Sequence, residues 1–143
     1  MARFSLICLL TVAALAMAAE AASVTVTGQW FRALPGKLPA AGYFTLHNNG
    51  RTAVALTGAQ SPGCGMLMLH MTHNMGGMMQ MMEMGQVEVP AGGSVSFAPG
   101  GYHLMCTEPT PALKPGASLP VTLRFSDGSQ ISANFAVRTA TGH

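Results

Sequence analysis

Short segments of alternating residue type, separated by glycine and proline, restrict the fold of this chain more than any other feature. The 143 residues include 17 glycines and 9 prolines. Beyond the N-terminal segment, no window of about twelve residues carries a helical period. Alternation begins with Val24, Val26 and Gly28. Short segments at roughly even spacing predict an all-β sandwich or barrel.

The predicted strands continue to the C-terminal part of the chain, and they form one domain. They cover residues 24–31, 41–47, 52–59, 66–71, 86–89, 94–98, 102–108, 118–125 and 130–138, and residues 78–82 could return as a further short strand. The turn Asn48-Asn49-Gly50 predicts a hairpin between the second and third strands. Asp127-Gly128 predicts a hairpin between the last two.

The first 21 residues differ in character from the rest. Arg3 precedes an apolar run over residues 4–19, and small residues follow it. This pattern is typical of a secretory signal peptide, and the run is shorter than the roughly 20 residues that a spanning helix needs. We expect a removed signal peptide at 1–21, a domain at 22–138, a loose tail at 139–143, and no membrane span after cleavage.

Charge excludes several classes of function. Only 8% of the residues are charged and the formal net charge is +2, so the chain lacks the basic surface that binds nucleic acid. The carboxylates are scattered, and no nucleophile is paired with a base. These observations favour a binding protein and not an enzyme.

Methionine is concentrated in one stretch. Nine of the twelve methionines lie between Met66 and Met84, together with His70 and His73. A thioether neither takes up nor releases a proton, so the stretch is poorly suited to hydrolysis and well suited to holding a soft metal ion. The alternative is that the methionines are adaptable packing residues.

Two potential ligands share one face of a predicted strand. His103 and Met105 are two residues apart, so both side chains leave the sheet on the same side. His70 and Met81, on either side of a glycine turn, could close over them. Two imidazoles and two thioethers form a neutral, soft set of donors that favours Cu(I) over Zn(II), Mg(II) or Ca(II).

The spacing of these four residues resembles that of the periplasmic copper chaperones of the PCuAC family. Ten residues separate His70 from Met81, twenty-one separate Met81 from His103, and one separates His103 from Met105. Three further segments also resemble the family: 41–50, 89–93 and 99–105. The resemblance implies a cupredoxin-like Greek-key β-sandwich or barrel of about eight to nine strands that binds one Cu(I) through the four residues.

The resemblance also implies where the protein works and with what. It indicates a periplasmic, monomeric carrier that hands copper to the CuA domain of cytochrome c oxidase subunit II or to another periplasmic copper carrier. Two alternatives stay open: a copper buffer or resistance protein with several methionine-rich sites, and a metal-free β-sandwich adaptor. An electron-transfer cupredoxin fits less well, because no histidine closely follows Cys106.

Three residues are candidates for an auxiliary metal site. Met68 shares the predicted strand face of His70, and Met79 lies in the methionine-rich stretch. His73 would lie on the opposite face if its segment is a strand, and it could hold Cu(II), which suits imidazole better than thioether. We expect the other methionines to pack or to form an exposed rim.

Two cysteines remain after signal cleavage, Cys64 and Cys106, and an exported compartment favours a disulfide between them. Strand alternation argues against this pairing. It turns Cys106 inward with Leu104, whereas a regular strand would put Cys64 on the face of His70. A bulge at the neighbouring glycines would remove the conflict.

Overall fold

The structure, a computed structural model, describes residues 20–143. The predicted signal peptide, residues 1–21, therefore lies outside the described residues except for its last two. A short 3-10 turn, Glu20–Ser23, leads into a fold that is otherwise made of strands, so the predicted all-β fold class is confirmed. No helix in the described part of the chain is long and apolar enough to cross a membrane.

Ten strands form one continuous sheet within residues 20–143. They are β1 (Val24–Arg32), β2 (Ala40–Asn48), β3 (Val54–Gln60), β4 (Cys64–Met75), β5 (Met78–Glu83), β6 (Val87–Val89), β7 (Ser94–Phe97), β8 (Tyr102–Pro109), β9 (Ser118–Phe125) and β10 (Gln130–Arg138). Their order is β5-β4-β8-β7-β2-β1-β10-β9-β3-β6. β3 packs against β4 although the two lie far apart in this order, which shows that the sheet curls on itself.

An aromatic cluster fills the space that the curled sheet encloses. Phe44 stacks on Phe97 with ring centroids 4.4 Å apart, and Phe135 contacts both Phe44 and Phe31 at centroid distances of 5.6 Å and 5.2 Å. These rings come from four strands, and each is at most 2% exposed. Each such pair adds roughly 0.5–1.5 kcal/mol beyond the burial of its area. The cluster thus packs together β7, β2, β1 and β10, which are neighbours in the sheet order.

The predicted hairpin between β2 and β3 is wrong. β3 pairs with β6 and β9 and not with β2. Asn48 is 1% exposed, and its side-chain amide donates to the carbonyl oxygens of Thr52 and Val89 at 2.8 Å and 3.2 Å. These two bonds tie the end of β2 to the loop that follows it and to β6, and the chain then continues into β3 between β6 and β9. The hairpin at Asp127-Gly128 does form, between β9 and β10.

The predicted strand at 66–71 is longer than expected. β4 continues to Met75 and turns through Gly76 and Gly77, whose φ values of 60° and 90° suit glycine. It then pairs with β5 over six rungs, from His70 opposite Glu83 to Met75 opposite Met78. This hairpin raises the number of strands above the eight to nine expected, and β5 is one edge strand of the sheet.

A disulfide joins Cys64 in β4 to Cys106 in β8, with the Cα atoms 5.4 Å apart. The conflict with strand alternation disappears because the β4–β8 ladder is irregular beside Cys64. The rung between Gly65 and Glu108 is missing from the pairing, and Glu108 has a φ of 50°. This distortion turns Cys64 toward the buried face, where Cys106 is fully inaccessible.

We expect reduction of this disulfide to lower the free energy of unfolding by about 2–4 kcal/mol, since it closes a long loop. The sequence separation of the two cysteines is 42 residues. Urea unfolding with and without a reductant measures the effect. A Cys64→Ala/Cys106→Val variant is the control, because reductant should not change its midpoint. Equal midpoints for the oxidised and reduced wild-type protein would contradict the expectation.

Candidate metal centre

The ladder between β4 and β8 places two pairs of potential ligands on one face. His70 lies directly opposite His103, and Met68 lies directly opposite Met105. The two rungs are separated by Leu69 and its partner, which point to the other side. All four donors therefore lie on adjacent positions of the same face of a two-strand ladder.

Met81 reaches this face from β5. It lies opposite Thr72, which is two residues from His70 and so on the same side of β4. Met81, His103 and Met105 line one cavity of about 470 Å³. Met81 is 62% exposed, whereas His103 is 4% exposed. The face thus combines a buried imidazole with a thioether that solvent reaches.

The two imidazole rings present unpartnered nitrogens. The Nδ1 of His103 lies 3.2 Å from the carbonyl oxygen of Gly101. A carbonyl only accepts, so this nitrogen carries the proton and leaves Nε2 with a free lone pair. Within residues 20–143, neither the buried Nε2 of His103 nor the buried Nδ1 of His70 has a hydrogen-bond partner. Buried polar atoms are rarely left this way, because desolvation without a partner costs about 1–3 kcal/mol.

The geometry leaves room for one ion between the rings. The ring centroids of His70 and His103 are 5.7 Å apart and the planes meet at 66°. A metal-bound imidazole nitrogen lies about 2 Å from the ion. No group of three or more His, Cys, Asp or Glu in the described range 20–143 could hold a metal ion, and the other potential donors beside the two rings are the thioethers of Met68, Met81 and Met105. Such a set fits a soft ion of low charge.

The surroundings of His103 keep its ring neutral. Burial lowers the pKa of His103 below its ordinary value of 6.5, and electrostatic interaction with His70 and Arg32 lowers it further. The Gly101 carbonyl acts in the opposite direction but does not outweigh burial. A neutral imidazole is the form that binds metal.

Arg32 and Tyr43 also line the cavity, and the sequence had not indicated either of them. Their positions follow from a stack along β1 and β2. The guanidinium of Arg32 lies over the ring of Tyr43 at 5.5 Å, the Tyr43 and Trp30 centroids are 5.2 Å apart, and Arg138 covers Trp30 at 5.3 Å. Only the pairing of β1 with β2 and β10 makes this row, so no local motif could have predicted it.

The predicted auxiliary residues fall on different faces. Met68 is half-buried beside the two histidines, opposite Met105. Met79 is 63% exposed and lies opposite Asn74, nearer the hairpin turn but on the side of Met81. His73 belongs to the extended strand and lies opposite Gln80, on the other face. The sequence had left the face of His73 open.

A β-sandwich with this face is the architecture of a PCuAC-type domain. The fold is similar to the copper-bound PCuAC domain from PmoF2, with a TM-score of 0.68 and 21% identity over 82% of this chain and 93% of that domain. It is also similar to apo-DR1885 from Deinococcus radiodurans, with a TM-score of 0.63 and 30% identity over 97% of this chain and 94% of that one. The Cu(I) form of the same protein matches with a TM-score of 0.64 and 29% identity over 78% of this chain and 75% of that one.

The chain belongs to the family described as "Putative lipoprotein LpqE-like", whose sequence model matches residues 24–137. A relative in Leifsonia xyli subsp. xyli, "Putative lipoprotein Lxx21020", is 33% identical over 124 residues, which cover 86% of this chain and 74% of that protein.

We expect His103 of the metal-free protein to titrate below 6.5, as its lowered pKa requires. The unfolded chain takes up this proton near the ordinary value, whereas the folded chain does so only at lower pH. Stability should therefore fall as the pH decreases through 6.5 toward the lowered pKa, and should be unaffected by this group well above 6.5. Urea unfolding at pH values on either side of 6.5 measures the loss.

The control for this expectation is His103→Gln, which removes the titrating ring. This variant should lose less stability over the same pH range. Ring-proton chemical shifts of His103 give its pKa directly. A pKa at or above 6.5, or equal pH dependence in the two proteins, would contradict the burial argument.

Proposed function

We propose that this protein is an exported Cu(I)-binding metallochaperone that holds one copper ion through His70, Met81, His103 and Met105. The observation that carries the proposal is the pair of buried imidazole nitrogens without hydrogen-bond partners among residues 20–143. The two rings stand on directly opposite positions of the ladder with centroids 5.7 Å apart, and Met105 is two residues from His103 on the same face. A soft monovalent ion would satisfy both nitrogens without bringing in a carboxylate.

The exposure of Met81 supports release of the ion to a partner protein. This residue lies on the edge strand β5 and is 62% exposed, while His103 is nearly inaccessible. An incoming ligand would replace the Met81 thioether first, and the imidazoles would keep the ion bound until the acceptor had taken hold. Copper would pass by stepwise ligand exchange, without a free ion.

The acceptor we propose is the CuA domain of cytochrome c oxidase subunit II, with another periplasmic copper carrier as the alternative. The similarity to PCuAC domains supports copper handling by a binding protein and not an enzyme. The N-terminal pattern and the lipoprotein names of the relatives support export to the cell envelope. We place the protein in the periplasm, as a monomer with its copper domain at 22–138.

Exposed methionines favour a second candidate, a copper buffer or resistance protein with several sites. Met66, Met78, Met79, Met81 and Met82 are each between 48% and 67% exposed. These exposed side chains would also serve the metal-free adaptor that the sequence left open, because exposed apolar residues often mark a protein contact. Copper stoichiometry separates these three functions.

We expect Met81→Leu to weaken Cu(I) binding about tenfold or more, which is about 1.4 kcal/mol, because leucine keeps the volume but has no sulfur. His103→Ala should abolish the tight equivalent. Competition titration against a chromophoric Cu(I) chelator measures both. Met78→Leu is the matched control, since Met78 is similarly exposed on the same strand but points to the other face.

Equal affinities for Met81→Leu and Met78→Leu would remove Met81 from the ligand set. Unchanged copper binding after joint replacement of Met81, His103 and Met105 would establish the adaptor instead. Several weak equivalents without a tight one would favour the buffer. Transfer of bound Cu(I) to an isolated CuA domain, compared with a non-cognate acceptor, tests delivery.

A further inference from the structure

The β4–β5 hairpin has a second face with donors of its own. Pairing of β4 with β8 ends at Met71 opposite Tyr102, so the remainder of β4 pairs only with β5. Side chains alternate along both strands, and those that do not join the face of His70 point the other way. The second face carries Met71, His73 and Met82.

These three residues lie close enough to share one ion. Met71 is directly opposite Met82, and His73 is the next residue on the same face of β4. The Cβ atoms of directly opposite residues are about 4.5–5.5 Å apart, and those of diagonal neighbours about 7–8 Å. A methionine side chain has three rotatable bonds and adapts to such distances. Two thioethers and one imidazole can therefore converge on a single point above the ribbon.

Packing in the core does not account for this group. Leu67 and Leu69, which point to the same side earlier in β4, are 9% and 3% exposed and belong to the core. Met71 and His73 are only half-buried and lie outside that cluster, and Met82 is 48% exposed. The face thus changes from core to accessible donors at Met71.

The imidazole of His73 is available as a ligand. Its ring makes no side-chain hydrogen bond to any other residue in 20–143, unlike His47, which contacts the hydroxyls of Thr27 and Ser94. No carboxylate stands opposite it, because its partner across the hairpin is Gln80. The donors around this point are neutral and two of the three are thioethers, which suits a soft monovalent ion.

We propose that Met71, His73 and Met82 form a second site for a soft monovalent ion, Cu(I) or Ag(I), on the face of the hairpin opposite His70. The site goes beyond the proposed function and does not depend on it, since the ribbon itself separates the two sets of donors. It has three donors and greater exposure, so it binds more weakly than the first site and exchanges faster.

Titration with Ag(I), followed by the methyl resonances of methionine and the ring resonances of histidine, tests the proposal in the full chain. We expect two equivalents to bind. The second should shift the methyl groups of Met71 and Met82 and the ring of His73. The variant Met71→Leu/His73→Asn/Met82→Leu should bind one equivalent, with the affinity of the first site unchanged. Competition titration with Cu(I) should give the same stoichiometries.

Two controls distinguish the site from general affinity for methionine and from misfolding. Met66→Leu removes a methionine that is 56% exposed near the start of β4 and should keep two equivalents. Unfolding midpoints verify that the triple variant is folded, and the methyl shifts of the wild-type protein decide the matter independently of any variant. The proposal is overturned if no equivalent bound by the wild-type protein shifts Met71, His73 and Met82 together.

The first site is read separately in the same experiments. In His103→Ala, the equivalent that shifts the ring of His70 should disappear while the shifts at His73 remain. If the wild-type protein shows the shifts at Met71, His73 and Met82 but none at the ring of His70, the proposed chaperone site is refuted and the second site stands. The reverse result would refute only the second site.

Discussion

The register of the β4–β8 ladder is the constraint on which the rest of this structure depends. On its inner face, Leu67, Leu69 and Leu104 are buried in the core. A shift of one residue would turn these side chains to solvent and would send the histidines into the apolar interior. Hydrophobic burial therefore fixes the register, and the register sets His70 opposite His103. The disulfide between Cys64 and Cys106 fastens the same two strands a short distance along the ladder.

The two kinds of potential ligand, imidazoles and an edge-strand thioether, stand in different surroundings. The imidazoles stand on central strands, where packing holds them, and Met81 stands on the edge strand with one neighbour. For the copper ion proposed here, the imidazoles would hold the ion, and Met81 would leave it accessible to an acceptor protein. Exposed apolar residues on an edge strand are ordinarily a liability for aggregation. Their number on β5 is easier to understand if thioether chemistry is needed there.

Alternation of residue type is a local property of the sequence, and it is enough to predict part of the fold and of the candidate site. It gave the fold class and the shared face of His103 and Met105. It failed where a distant contact decided the outcome. Asn48 looked like part of a hairpin turn, but its buried amide binds the carbonyls of Thr52 and Val89. No local pattern reveals such partners.

The disulfide, the face of His73 and the position of Arg32 depend on backbone geometry and strand pairing that the residue types do not predict. A positive φ is uncommon for glutamate, so the distortion at Glu108 that lets Cys64 approach Cys106 could not be anticipated. The face of His73 depended on how far β4 extends, and a run of methionines with glycines leaves that open. The position of Arg32 required the pairing of β1 with β2.

Arg32 would favour metal ions of low charge, in addition to the preference for soft ions that the thioether ligands give. Its guanidinium lines the cavity with His103 and Met105, and its field reaches the ring of His103 strongly enough to lower the pKa. The same field opposes any cation that enters. Coulomb energy scales with the charge of the ion, so a divalent ion meets twice the repulsion of a monovalent one. The thioethers and neutral imidazoles carry no charge to offset that cost, although the carboxylate of Glu83 lies opposite His70 on the same face. Arg32 by itself would therefore favour the proposed Cu(I) over a divalent ion, by charge as well as by softness.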